Sequence, residues 1–122
     1  MHTKYETHIN KIGSSVTEFL DDKMLVLFGE SAPAELIDYC LSITVNEIDS
    51  EIKAGDMLQI GDAKYKITSV GEAVETNLTS LGHITLKFDG LERPELPGTL
   101  YLEDTEIQEV KQGDTLRIYS HA

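Results

Sequence analysis

From Lys4 to Ile12 the chain alternates loosely, with Tyr5, Thr7 and Ile9 on one side and Lys4, Glu6 and His8 on the other. That two-residue period predicts a half-buried strand, which Gly13-Ser14-Ser15 brings to an end. Val16, Phe19 and Leu20 then fall three and four apart, enough for one or two helical turns before Asp21-Asp22. Met24 to Phe28 is apolar at every position and suits a strand in the middle of a sheet or in a barrel wall. Ser31 to Asp38 predicts a short helix, with Ser31 as its cap and Pro33 in its first turn, where a missing N–H costs nothing. Tyr39 to Val45 alternates again. Met57–Ile60 and Lys64–Val70 flank Gly61-Asp62, a pair that favours a tight reversal and hence a hairpin.

Glu72 to Ser80 is less strand-like and places Val74 and Leu78 four apart, as one helical turn or an ordered loop would. Ile84, Leu86 and Phe88 share one face of a further strand, with His83, Thr85 and Lys87 on the other. The acidic stretch Leu91–Gly98, with two prolines, is a loop. Thr99–Glu103 and Thr115–Tyr119 complete the strands. Many short strands divided by turns argue for a mostly β barrel or sandwich. Lys53-Ala-Gly-Asp-Met-Leu-Gln-Ile60 is echoed by Lys111-Gln-Gly-Asp-Thr-Leu-Arg-Ile118. Each copy predicts the same turn, with Gly freeing the backbone and Asp capping its own loop.

At 122 residues the chain is expected to form a single domain, 1–122, with room for one core. Its 22 acidic and 10 basic side chains give a formal charge of -12, which opposes binding to nucleic acid or an anionic membrane and favours a basic patch on another protein. The lone Cys40 excludes an intrachain disulfide and fits a reducing compartment. The polar start and a longest apolar run of Met24–Phe28 predict neither a secretory signal nor a membrane span. A cytoplasmic location is expected, compatible with docking on a membrane protein.

The candidate chemistry is sparse. The sequence holds four histidines without metal-ligand spacing, and neither a phosphate-binding glycine loop nor a nucleophile elbow. No metal or cofactor is expected. Cys40 has no cation beside it in sequence and reads as a buried structural thiol. Asp89-Gly90 and Pro97-Gly98 read as reversals, and Asn77 and Thr79 as side chains able to order the next loop. His83 stands apart: it follows Gly82 where a loop enters a strand, on the face away from the core. An imidazole so placed can accept a phosphoryl group if one nitrogen is open and the other is oriented. A hydrogen-bonded structural histidine fits the same pattern.

Several blocks carry a family resemblance: Ile12-Gly13, Phe28 with Ala32-Pro33-Ala34-Glu35, Tyr39-Cys40, Thr68-Ser69-Val70-Gly71, Asn77-Leu78, the run Leu81 to Gly90, and Pro97-Gly98-Thr99. Over nearly its whole length the chain resembles the glucitol/sorbitol-specific IIA component of the bacterial sugar phosphotransferase system. The resemblance implies a small, partly open β-barrel of about six to eight short strands with one or two short helices. It implies a phosphocarrier that takes a phosphoryl group on histidine from the histidine phosphocarrier protein and passes it to a IIB cysteine. The IIB/IIC transport component then takes up glucitol/sorbitol.

The family's usual acceptor histidine corresponds to Ile43, which cannot be phosphorylated, and phosphoesters on the neighbouring Ser42 or Thr44 would be poor donors. The histidine of the Leu-Gly-His-Ile-Thr block survives as His83. Three readings follow: His83 is the acceptor, the carrier has lost transfer, or the chain is a relative kept for binding or regulation. Under the first, Gly82 backbone groups, the Thr85 hydroxyl and Lys87 are the expected supports for the phosphoryl group.

Overall fold

The computed structural model describes residues 2–120. Eight strands, β1 (His2–Ile12), β2 (Met24–Gly29), β3 (Leu41–Ile43), β4 (Met57–Ile60), β5 (Ala63–Val70), β6 (Ile84–Lys87), β7 (Thr99–Leu102) and β8 (Thr115–Ser120), form a closed barrel. The order around it is β1-β3-β2-β6-β7-β5-β4-β8, and β8 returns to β1. Among the described residues, closure leaves no strand edge free to pair with another chain. Three short helical pieces fill the connections: a 3-10 segment at Val16–Asp22, α1 (Ala34–Ile37) and α2 (Val74–Ser80). Among the described residues no helix is long and apolar enough to cross a membrane.

The predicted elements recur with shifted edges. Pro33, not Ser31, is the N-cap residue of α1, and no side chain caps that helix, because it starts three residues beyond Ser31. The Gly61-Asp62 hairpin is present, with Gly61 at φ +60°. The two parallel pairs, β2 with β3 and β6 with β7, are invisible to periodicity, since each is made by a connection that crosses over the barrel wall.

The interior is filled by the inward halves of the alternating strands. Ile9, Leu27, Leu41, Ile43, Leu58, Ile67, Leu86 and Leu100 are completely buried there. Lys4 is the buried cation at one end. Its ammonium donates to Asp56 Oδ2 and to the Glu51 carbonyl, both at 2.7 Å, so the charge leaves water with its partners in place.

The echoed segments build one turn twice. Gly55 and Gly113 adopt φ of +97° and +93°. Asp56 and Asp114 each accept the backbone N–H three residues earlier, at 2.8 and 2.9 Å. Gly55 N–H donates to Ile67 O while Ile67 N–H donates to Asp56 O; Gly113, Ile9 and Asp114 repeat this exchange, all four bonds being 2.8 Å. The repeat extends beyond the turns. Moving β4 forward and β5 back by the distance from Lys53 to Lys111 carries the β4–β5 ladder onto the β8–β1 ladder, as Leu58↔Tyr65 becomes Leu116↔Thr7. The barrel is therefore two copies of one pairing scheme, meeting at β4–β8 and at β2–β6.

Candidate functional site

The β2–β6 seam carries the site. Antiparallel pairing sets Leu27 opposite Ile84 and Val26 opposite Thr85. Ile84, Leu86 and Phe88 point inward and are buried, leaving His83, Thr85 and Lys87 on the outer face. One step beyond the ladder, the His83 ring stacks on Phe28, with centroids 4.3 Å apart and planes at 24°. A strand apolar on both faces needs a cover outside the barrel, and Phe28 receives part of its cover from this imidazole.

The loop that delivers His83 approaches β2 closely. Gly82 has φ +68°, and a Cβ there would lie 2.9 Å from the Gly29 nitrogen, so both the space and the left-handed backbone call for glycine. The Leu81 carbonyl accepts the Gly29 N–H at 2.8 Å. Asn77 orders the loop through its backbone carbonyl, which accepts from Leu81 N–H at 3.0 Å and His83 N–H at 3.3 Å. The Thr79 hydroxyl instead turns back to the Glu75 carbonyl at 3.0 Å.

The hydrogen bonding of His83 distinguishes its two nitrogens. Nδ1 lies 3.3 Å from the Leu27 carbonyl oxygen, and since a carbonyl only accepts, Nδ1 carries the proton. In the neutral ring the lone pair is then on Nε2. Nε2 has no hydrogen-bond partner among the described residues, and Tyr5 Oη is the one buried side-chain polar atom there without a partner. Nε2 of the half-buried His83 is thus in touch with solvent.

Beside the ring lies an open hollow of about 280 Å³, lined by Phe19, Val26, Leu36, Tyr39, Cys40 and His83. Leu36 and Tyr39 are 41% and 38% exposed there, and Phe19 packs on Tyr39. Cys40 is buried, and that burial pushes its thiol pKa up, so it stays protonated and unreactive. On the loop side, Val45 lies against Gly29 and Gly82.

The other expected residues distribute unevenly. Thr85 lies on the same face as His83, two residues and hence about 7 Å along the strand. Lys87 is four residues away, about 13 Å, and its ammonium donates to the Asp22 carbonyl at 2.8 Å. Ile43 is wholly buried in the core opposite Ile9, so the position matched to the family acceptor looks into the barrel. His2 sits within β1 with Nε2 2.6 Å from Asp49 Oδ2, and His8 faces the Thr115 hydroxyl. His121 lies outside the described residues. Sequence periodicity missed Phe28, Leu36 and Tyr39 as neighbours of His83. The all-apolar run through Phe28 was the available sign, since it demands apolar cover outside the wall.

Fold and site together define a small closed β-barrel whose outer wall carries His83 beside an apolar hollow, one of three described histidines with a ring nitrogen that has no partner. Residues 4–117 match the family model described as the glucitol/sorbitol-specific IIA component of the PTS system, and the chain belongs to that family. It is 39% identical over 116 residues to the glucitol/sorbitol-specific EIIA component of Shigella flexneri, covering 95% of this chain and 94% of that protein. The Escherichia coli protein of the same description is 38% identical over the same shares. A crystal structure of a PTS system IIA component from Enterococcus faecalis superposes with a TM-score of 0.81 at 28% identity, covering 94% of this chain and 99% of that one.

Proposed function

We propose that the protein is a phosphoryl relay for glucitol/sorbitol uptake. His83 takes a phosphoryl group from the phosphohistidine of the general phosphocarrier protein and hands it to a cysteine of a IIB component. The observation that carries this reading is the split role of the His83 ring, with Nδ1 facing the Leu27 carbonyl and Nε2 not sealed in and without a partner among the described residues.

In the step, the Nε2 lone pair forms a bond to phosphorus in line with the donor's N–P bond. That bond breaks with its electron pair left on the donor ring. The Nδ1 proton stays on His83, facing the Leu27 carbonyl, so the phosphorylated ring is an imidazolium and a good leaving group for the next transfer. The reverse geometry then serves the IIB thiolate, which displaces His83 from phosphorus. Charge building on the three equatorial oxygens needs donors. Gly82 and Thr85 are the supports this chain offers, while Lys87 is too distant along β6 to act with them.

Ile43 cannot carry the group and is sealed in the core, so this reading requires the acceptor to be His83, outside the barrel, rather than the side chain at the position of the family's histidine. The test is to incubate the protein with phosphorylated carrier and map acid-labile phosphate by mass spectrometry. Phosphate on His83, lost in His83→Ala, is the expected result. A variant labelled as well as the wild type, or phosphate on a different residue, overturns the assignment.

A further inference from the structure

We propose that Phe28 is the positioning residue of this site: its ring is a platform that fixes the plane of the His83 imidazole and so leaves Nε2, not Nδ1, to react. The choice of nitrogen rests on the relay reading above, while the platform is already a feature of the unphosphorylated ring. Leu27 belongs to the interior cluster, so alternation along β2 turns Phe28 to the outer side of the wall. Phe28 is only 6% exposed, yet it lies outside that interior cluster. The ring stacked on it is His83, with centroids 4.3 Å apart and planes at 24°. A large flat side chain kept out of the core and pressed against an imidazole is placed to orient it.

The imidazole needs such a support because its χ2 torsion is broad and roughly two-fold, without sharp staggered wells. Stacking holds the ring to one plane and leaves two orientations half a turn apart. The contact of Nδ1 with the Leu27 carbonyl selects one of them. At 3.3 Å it is longer than a usual N–H···O bond, so it does not hold the plane by itself. Gly29, on the other side of Phe28, donates its N–H to the Leu81 carbonyl at 2.8 Å. Three successive residues of β2 thus hold the edge of the imidazole, its face, and the backbone of the loop that delivers it. The transfer is the one given above, in which the Nε2–P bond forms as the donor's N–P bond breaks. The platform decides which lone pair meets the donor. It also outlasts the step, since an imidazolium is attracted to the negative face of an aromatic ring.

Phe28→Leu and Phe28→Met stay apolar but remove the flat face, whereas Phe28→Tyr keeps it. In the unphosphorylated wild type, NMR should show the His83 ring protons shifted upfield by the Phe28 ring; unshifted protons overturn the platform whatever the variants do. With the ring neutral, ¹⁵N shifts should report the Nδ1–H tautomer in the wild type and in Phe28→Tyr. In Phe28→Leu and Phe28→Met the two ¹⁵N shifts should draw toward a common value as both tautomers populate. With phosphorylated carrier, the same two variants should lose about tenfold in kcat at nearly unchanged KM, because Phe28 is too buried to touch the donor. They should also carry part of their phosphorus on Nδ1. Wild-type tautomer, kcat and Nε2 labelling in either variant overturn the platform and leave the relay standing. A Phe28→Tyr protein as impaired as Phe28→Leu also overturns it, since the loss would then be one of packing and not of a flat face. If the carrier places no phosphate on His83 in the wild type, the relay fails, and the tautomer comparison decides the platform on its own.

Discussion

Single residues decide where chemistry can occur on this barrel. Position 43 is the sharpest case, because a strand has two faces and the Ile9↔Ile43 register turns this side chain inward. Ile43→His should therefore bury an imidazole among aliphatic side chains at a cost of about 3 kcal/mol. Urea unfolding should show the loss, and the carrier should add no phosphate at residue 43; a stable, labelled variant would contradict the placement. Tyr5 tests the interior in another way. Its buried hydroxyl makes no well-formed hydrogen bond, and burial pushes its pKa up to about 12, with weaker polar contacts to Thr7 and the Asn46 backbone pulling the other way. Because the folded value lies above the unfolded one, this contribution is complete below about pH 10 and is lost as pH rises through about 12. Tyr5→Phe should leave the protein as stable as the wild type or more so at pH 7. It should also flatten part of the alkaline decline, with Tyr65, whose pKa is raised by the same cause, retaining its own share. An unchanged alkaline limb in pH-dependent melts would count against the Tyr5 environment.

At the scale of elements, the internal repeat makes pairs of positions equivalent that lie far apart in sequence. Gly13 and Gly71 both close the loop before a helical piece. A Cβ at either would sit 2.3 Å from a backbone oxygen, that of Asp38 or of Pro97. Gly13→Ala and Gly71→Ala should thus be similarly damaging, each by about 3 kcal/mol, as judged by denaturation midpoints; tolerance at one site alone would break the equivalence. Local signals revealed most of these elements. Alternation found β1 and β6, the Gly-Asp reversal found the β4–β5 hairpin, and the Lys-x-Gly-Asp echo found both turns. What local signals could not show was partnership. The parallel pairs join residues across a crossover connection, and the β2–β6 ladder and the stack of His83 on Phe28 join residues more than fifty positions apart; no short-range pattern encodes such contacts. The outward direction of His83 was readable from its alternation with Ile84 and Leu86. The hollow beside it was not, because Leu36, Tyr39 and Cys40 reach it from α1 and the turn that follows, outside the barrel strands.

Across the whole molecule, net charge sets the long-range field that an approaching partner meets. A formal charge of -12 sets a long-range field that attracts a cationic partner and repels polyanions. Raising ionic strength from about 0.05 to 0.5 M shortens the reach of that field to a few ångströms. Stopped-flow measurements should accordingly show the association rate with the carrier falling with salt while the dissociation rate changes much less. A salt-independent association rate would contradict steering by the acidic surface.

The most direct measurement is long-range ¹H–¹⁵N NMR of the histidine rings in protein phosphorylated by the carrier. The account predicts phosphorus on Nε2 of His83, with Nδ1 retaining its proton toward the Leu27 carbonyl. Phosphorus on Nδ1 of that ring, or on any other histidine, would contradict it.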